Sequence, residues 1–116
     1  MGETPLVLYQ NRLFVTELFI YDSEAEEYVQ LESGQTVTLT IRKEKESTSH
    51  ILKKVFTSAN NNEDGEGIDI VLTSSETKKD PGYYWWDIMI SRTSGEAEVV
   101  IPTSPCVIKP SISILS

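Results

Sequence analysis

The side chains best suited to chemistry are few in this sequence and stand far apart. There is one histidine, His50, and one cysteine, Cys106. A zinc site needs several such ligands together, and a Cys–His nucleophile pair normally comes with a local signature that neither residue has. Cys106 lies in an apolar run, so we expect it to behave as a small core side chain. The sequence therefore predicts no metal, no cofactor and no nucleophilic catalytic residue.

Acidic side chains are numerous, but they fall in loops. The loop 59–67 partly resembles the calcium-binding loop of an EF-hand. If that loop started at Asn60, its first, third, fifth and sixth places would be filled as expected, by Asn60, Asn62, Asp64 and Gly65. The chelating Glu of the twelfth place is replaced by Val71, so a β-turn loop is the better interpretation. The remaining loop carboxylates include Glu24, Glu26, Glu27, Glu63 and Glu66. Paired-carboxylate hydrolases hold these groups in a cleft, which a small domain without long loops does not offer. We expect no enzyme.

Aromatic residues are concentrated in the stretch 80–91 (DPGYYWWDIMIS), which contains both tryptophans. With a period of two residues, Tyr83, Trp85 and Met89 fall on one face of a strand, which we assign outward. Three interpretations are open for this face. A neighbouring strand or loop covers it, or it stacks on a sugar ring, or it binds another protein, since Trp, Tyr and Met are enriched at such contacts.

The other face of the same stretch predicts a buried central strand. Its members are apolar throughout: Tyr84, Trp86, Ile88 and Ile90. The turn Asp80-Pro81-Gly82 leads into a D-x-G-x-Y-x-W pattern. Immunoglobulin-type sandwiches place a tyrosine at this strand entry, with its hydroxyl bonded to backbone upstream, two residues before a cysteine. Tyr84 matches that tyrosine, and Trp86 stands in place of the cysteine.

Short alternating segments that must position these side chains cover most of the chain. Seven or eight strands with frequent turns and no helical period predict an all-β fold, an immunoglobulin-like antiparallel β-sandwich. Strands are predicted at 6–9, 13–21, 28–31, 36–42, 51–57, 67–72, 80–91 and 97–108. Within 13–21, Phe14, Thr16, Leu18 and Ile20 are expected inward. A short helical turn is expected at 73–77.

Lysines and prolines add details to this pattern. Lys53 and Lys54 favour an edge strand at 51–57. Pro102 and Pro105 are expected to interrupt the strand that starts at Ala97, as proline is tolerated only at an edge or a bulge. We expect one domain over 1–116, with its core at about 6–109 and with 110–116 as a tail, a last strand or a linker.

Composition restricts the partners. The 116 residues include 18 acidic and 10 basic ones, for a net charge of −8. The basic residues form no patch free of acidic neighbours, so we expect neither nucleic acid nor membrane as a partner. A single cysteine means no internal disulfide, which favours a protein assembled inside the cell.

Several segments resemble the immunoglobulin-like N-terminal domain of phage baseplate upper proteins. The resemblance spans roughly 13–108, although the family usually has a glycine where this chain has 102–106 (PTSPC). The segments that carry it are 19–22 (FIYD), 28–42 (YVQLESGQTVTLTIR), 68–73 (IDIVLT) and 82–88 (GYYWWDI). Members of the family are structural proteins without catalytic residues, and they attach receptor-binding tips or fibres to the tail.

The resemblance implies a non-catalytic structural or adaptor domain of a phage or prophage tail. It would be assembled in the bacterial cytoplasm and incorporated into the virion, by contact with other tail proteins or with copies of itself. The face with Tyr83, Trp85 and Met89 is the first candidate for that contact, and the edge at 97–108 is the second. A carbohydrate-binding or adhesive module, with Tyr83 and Trp85 as a stacking platform, is the alternative.

Overall fold

The computed structural model describes residues 5–22, 25–63, 65–92 and 95–110, and their fold is all-β. The predicted last strand or linker at 111–116 lies outside the described residues. The described part has no helix with the length and apolar character that a membrane crossing needs. Its nine strands are β1 (Leu6–Tyr9), β2 (Phe14–Leu18), β3 (Ile20–Asp22), β4 (Glu27–Val29), β5 (Thr36–Arg42), β6 (Leu52–Phe56), β7 (Ile68–Leu72), β8 (Gly82–Ser91) and β9 (Ala97–Lys109).

Five of the strands form one sheet in the order β1-β9-β8-β5-β6. All neighbours in it are antiparallel except β1 and β9, which run parallel. The stretch predicted as the central strand is β8, in the middle of this sheet, so that prediction is confirmed. The predicted edge strand is also confirmed, because β6 is the last strand of the sheet. Lys53 on β6 is exposed and faces outward, where its charge discourages pairing with another molecule.

The other four strands form two antiparallel pairs, β2 with β7 and β3 with β4. The prediction of one strand over 13–21 was wrong, because Phe19 belongs to neither β2 nor β3. The strand β2 loses its partner where β7 begins at Ile68, and the chain then pairs with β4 instead. Thr16 was expected inward; it shares the inner face of β2, but its side chain is exposed.

A single hydrophobic core joins the large sheet to the β2–β7 pair. Alternate residues of each strand point into it, as the period of two requires. The buried hydrophobic residues are Leu6, Leu8, Leu18, Leu31, Val37, Leu39, Ile41, Phe56, Ile68, Ile70, Leu72, Tyr84, Trp86, Ile88, Ile90, Cys106 and Ile108. The large sheet therefore has an inner face towards β2 and β7 and an outer face directed away from them.

The strand β9 continues through both prolines, so the predicted interruption was wrong. Pro102 lies at a register shift between Ile101, opposite Ile88, and Ser104, opposite Trp86. Two residues of β9 thus stand opposite one of β8, and a bulge accommodates the missing N–H. The edge proposed at 97–108 is also shorter than expected, because β1 pairs with β9 from Cys106 onward.

Two side chains hold loops in place by hydrogen-bonding to the backbone of distant residues. The Asn61 carboxamide accepts from the Leu31 N–H (3.1 Å) and donates to the Leu31 carbonyl (2.9 Å). The buried Thr77 hydroxyl accepts from the Arg12 N–H (3.0 Å) and donates to the Arg12 carbonyl (2.7 Å). Each side chain thereby satisfies both polar groups of a residue that no strand ladder pairs.

A single turn follows β7, as predicted from the Thr-Ser-Ser-Glu pattern. The Thr73 hydroxyl accepts from the Glu76 N–H (3.2 Å), and the Glu76 carboxylate accepts from the Thr73 N–H (2.8 Å). This reciprocal pair is the capping box of a helix start. The same Glu76 oxygen accepts from Lys54 Nζ (2.8 Å), and Lys54 also donates to the Val71 carbonyl. Lys54 therefore links the edge strand β6 to β7.

Candidate functional site

The outer face of the large sheet carries the side chains that we predicted to face outward from β8. Tyr83 is 81% exposed, while Trp85 and Met89 are partly exposed. The four residues assigned to the core, Tyr84, Trp86, Ile88 and Ile90, are all buried. The strand thus separates its aromatic residues into two sets, one inside the core and one on the surface.

A shallow apolar depression of about 270 Å³ lies on this outer face beside Tyr83 and Trp85. Its other outward walls come from Val7 on β1 and from Pro105 and Val107 on β9. The pairing explains why they meet, since Val7 stands opposite Val107, Val107 opposite Tyr83 and Pro105 opposite Trp85. We call these five residues the apolar patch. Tyr83 lies at the start of β8, beyond the last pairing with β5 at Arg42 and Trp85, and its side chain is left exposed.

Charged side chains lie beside the aromatic residues of β8. Lys45 Nζ lies 5.0 Å from the centre of the Trp85 ring, and Lys43 Nζ lies 4.7 Å from that of Tyr84. A cation over an aromatic face is attracted by the ring quadrupole. Arg42 and Asp87, the acid that interrupts the outer face of β8, form an ion pair. That pair offsets both charges, and exposed Glu44 and Glu46 lie in the same loop as Lys45, so charges of both signs stand near the patch.

The inward-facing side of β8 is anchored by the hydrogen bond that the sequence predicted near the start of the strand. The Tyr84 hydroxyl donates to the Asp80 carbonyl at 2.6 Å. Burial, with a smaller contribution from the Asp80 charge, raises the pKa of the Tyr84 hydroxyl above its ordinary value. The hydroxyl therefore stays protonated and keeps its role as donor throughout the physiological range.

The residues considered for nucleophilic or metal chemistry do not come together. Cys106 is buried, and burial raises the pKa of its thiol to about 12, so the reactive thiolate is not formed at neutral pH. His50 is exposed in the loop before β6. Among the described residues no three of His, Cys, Asp and Glu are grouped as a metal site would need.

The asparagine side chains of the calcium-like loop form hydrogen bonds within the protein. The Asn60 carboxamide accepts from the Thr57 N–H (3.0 Å). The Asn62 side chain donates to carboxylate oxygens of Glu17 and Asp69. Of the other acidic residues considered, Glu26, Glu27, Glu63 and Glu66 are exposed, whereas Glu24 and Asp64 lie outside the described residues.

Sequence reasoning missed two contributions to the surface. Val7 was not assigned to the candidate face, because the parallel β1–β9 pairing joins segments about a hundred residues apart and has no local signal. Pro105 and Val107 lie in the segment 97–108, the second candidate, and the β8–β9 pairing brings them beside Trp85 and Tyr83. The second contribution is an aromatic cluster formed by Phe19, Tyr21 and Tyr28, of which Phe19 and Tyr21 line a depression together with Val99 of β9. Its rings pack edge-on, with centroids 5.6 Å apart for Phe19–Tyr28 and 5.5 Å for Tyr21–Tyr28.

Comparison with known proteins found no match to a family model or to a curated protein.

Proposed function

We propose that this chain is a non-catalytic structural or adaptor domain of a phage or prophage tail baseplate that acts through protein–protein contacts. The observation that carries the proposal is the apolar patch. Monomeric proteins rarely leave large apolar side chains together on a flat sheet, and aromatic residues in the middle of a surface supply much of the affinity of protein contacts. Tyr83 and Trp85 have this position.

The arrangement of strands supports an immunoglobulin-like sandwich, as the family resemblance implies. One layer is the five-stranded sheet, and the β2–β7 pair faces it across the shared core. The hydrogen bond from Tyr84 to Asp80 has the form of a tyrosine corner, and Trp86 follows two residues later where such domains have a cysteine. The buried indole would then fill the space between layers that a disulfide bridges elsewhere.

Carbohydrate binding is the second candidate, and Tyr83 is the observation in its favour, since an exposed ring can stack on a sugar. The lining of the depression weighs against it. The lining side chains other than the tyrosines are Pro, Leu, Val, Trp and Cys, so few groups there could hydrogen-bond hydroxyls. Ligand sites of this kind normally include precisely placed polar groups. The apolar lining fits a protein surface better.

Replacing Trp85 with Ala tests the proposal in the bacterium that carries the gene. Trp85 lies on the outer face, so the Trp85→Ala protein should fold but should no longer be incorporated into tail particles released after induction. Circular dichroism of the purified variant checks folding, and immunogold labelling of the particles checks incorporation. A folded variant that is incorporated as well as the wild type would overturn the assignment, and so would a variant that fails to fold.

A matched pair of valine substitutions localises the contact. Val7 and Val55 both face outward from edge strands of the same sheet and are about half exposed, at 43% and 50%. Only Val7 belongs to the apolar patch. Val7→Asp should therefore prevent incorporation, while Val55→Asp should not.

Titration of the wild type with soluble glycans, followed by tryptophan fluorescence, separates the two candidate functions, because a saturable change would support the carbohydrate module.

A further inference from the structure

A second depression, of about 260 Å³, lies between β3, the end of β8 and the start of β9. Phe19 and Tyr21 of the aromatic cluster supply rings to its lining, and Arg92 and Glu98 supply charged groups. The Arg92 guanidinium donates a hydrogen bond to Glu98 Oε1 at 2.7 Å. Rings and hydrogen-bonding groups therefore surround one space here, whereas the depression of the apolar patch has few polar groups.

The aromatic rings of this depression are held in position by their neighbours. Tyr28 packs edge-on against both Phe19 and Tyr21. A Cβ atom at Gly67 would lie 3.1 Å from the Phe19 ring, so this ring packs directly over the glycine. Phe19 and Tyr21 are nevertheless about half exposed, at 47% and 55%. A ring that is already ordered and still accessible loses little side-chain entropy when a ligand stacks on it.

The ion pair beside these rings has hydrogen-bonding groups to offer a ligand. A guanidinium has five N–H donors and a carboxylate has two acceptor oxygens, so one bond between Arg92 and Glu98 does not exhaust either group. Both side chains reach solvent. Their positions are set by the hairpin, in which Ile90 stands opposite Glu98 and the Arg92 N–H donates to the Glu96 carbonyl at 2.8 Å. Donors and acceptors are thus fixed next to the aromatic surface.

A smaller depression of about 90 Å³ adjoins the first and shares three lining residues with it, Arg92 among them. Its polar lining includes Asp22, Glu32 and Gln35. The Gln35 carboxamide accepts a hydrogen bond from the Glu32 N–H at 2.8 Å, which orders this wall. The two spaces meet at Arg92, so an extended ligand could contact both of them.

The chemistry of these groups matches that of a sugar. A sugar ring has an apolar face, which can stack on an aromatic side chain, and hydroxyls around its rim, which donate and accept hydrogen bonds. Ligand sites generally combine an apolar surface with a few placed polar groups in this way. The linings of the two depressions contain three acids, Asp22, Glu32 and Glu98, and one base, Arg92. This excess of carboxylates would repel an anionic sugar, so a neutral sugar fits better.

We propose that the two depressions together bind a neutral oligosaccharide, with one sugar ring stacked on Tyr21 and its hydroxyls bonded to Arg92 and Glu98. A second ring would reach the smaller depression. Neither depression shares a lining residue with the one beside Tyr83 and Trp85, so this site does not depend on the proposed function.

The experiment is a titration of the full chain with neutral oligosaccharides of glucose, galactose, mannose and N-acetylglucosamine, followed by ¹H–¹⁵N NMR. At least one of them should give saturable shift changes, concentrated at Tyr21, Arg92 and Glu98. Oligogalacturonate has a carboxylate on every ring and should bind at least about 10-fold more weakly. No saturable change with any of the neutral sugars would overturn the proposal.

Variants assign the binding to these side chains. Tyr21→Ala removes the stacking surface and should weaken binding about 10-fold, and Arg92→Met, which removes the donors but keeps an apolar stem, should do the same. Tyr9→Ala is the matched control and should bind like the wild type, because Tyr9 is exposed to a similar degree (49%) and lines neither depression. Thermal unfolding verifies that each variant folds, and Arg92→Met carries the test if Tyr21→Ala does not. Unchanged binding by the folded variants would overturn the site.

Two further outcomes separate this inference from the proposed function. Shift changes at Tyr83 and Trp85 instead of Tyr21 would overturn it and support the carbohydrate module considered above. Loss of tail incorporation in Tyr21→Ala, without sugar binding by the wild type, would show that the aromatic cluster contacts a protein instead. Failure of sugar binding leaves the effect of Trp85→Ala on tails unaffected, so that effect alone decides the proposed function.

Discussion

Two adjacent tyrosines show how the position of a single residue decides its role. Tyr84 is buried and bonded to Asp80, whereas its neighbour Tyr83 is 81% exposed. The difference follows from the alternation of side chains along a strand. It could be predicted from the sequence because Tyr84, Trp86, Ile88 and Ile90 are all apolar, while the alternate positions include an acid, Asp87.

The same substitution at these two positions should have different effects on stability. Tyr84→Phe removes the hydroxyl and leaves the Asp80 carbonyl without this donor, so the free energy of unfolding should fall by about 1 kcal/mol. Tyr83→Phe removes a hydroxyl at the surface and should change it little. Urea unfolding of both variants measures the difference. Equal stability of the two would contradict a structural role for the Tyr84 hydroxyl.

At the same scale, residue type alone did not reveal what the polar side chains of the loops do. Asn61 and Thr77 each satisfy the N–H and the carbonyl of one distant residue, Leu31 and Arg12. Asn and Thr are common in loops for local reasons. Which distant residue each one contacts depends on the packing of the whole chain, so the sequence has no local pattern for it.

Individual elements were predictable where a pattern is self-contained. The capping box at Thr73 and Glu76 is such a case, because its two residues stand three apart and bond each other. The strand β9 is the opposite case. Its two prolines predicted an interruption, but a bulge against β8 keeps the strand continuous. Whether a neighbouring strand can accommodate a bulge cannot be read from the prolines themselves.

The contact between β6 and the turn after β7 should depend on pH. Burial raises the pKa of Glu76, while hydrogen bonds from Lys54 and Thr73 lower it, and the net effect is a pKa below the usual 4.5. A lowered pKa in the folded state stabilises the fold above the unfolded-state value, and this stabilisation is lost as the pH falls through the folded-state pKa. Glu76 should therefore stabilise the protein at neutral pH and lose that effect in acid.

Replacing Glu76 with Gln tests this expectation. At pH 7 the Glu76→Gln variant should be less stable than the wild type by about 0.5–1 kcal/mol, as expected for a partly exposed ion pair. The difference should shrink as the pH is lowered below 4.5. Urea unfolding across this range measures it, with Glu63→Gln in an exposed loop as control. A difference that does not change with pH would show that the ion pair is not the cause.

For the whole molecule, the sequence predicted the all-β class of the fold, but it did not predict which strands pair with each other. Alternating segments indicated an all-β protein, and that is what the structure shows. The composition gave only the sum of the charges, −8. It could not indicate where those charges lie on the surface, because their placement depends on which strands neighbour each other.

The parallel pairing of β1 with β9 also determines how the domain would carry a mechanical load. Its four residue pairs run from Leu6 with Cys106 to Tyr9 with Lys109. Tension applied through Pro5 and Pro110 pulls the two strands past each other along their length. All the hydrogen bonds between them then resist together, and none can open before the others.

Single-molecule pulling should reveal this geometry. Handles at Pro5 and Pro110 should require a higher force for the first rupture than handles at Ile20 and Val29, where the β3–β4 hairpin would open one residue pair at a time. Equal forces for the two geometries would contradict the expectation. A domain loaded in this direction would transmit tension to whatever is joined to its two ends without unfolding strand by strand.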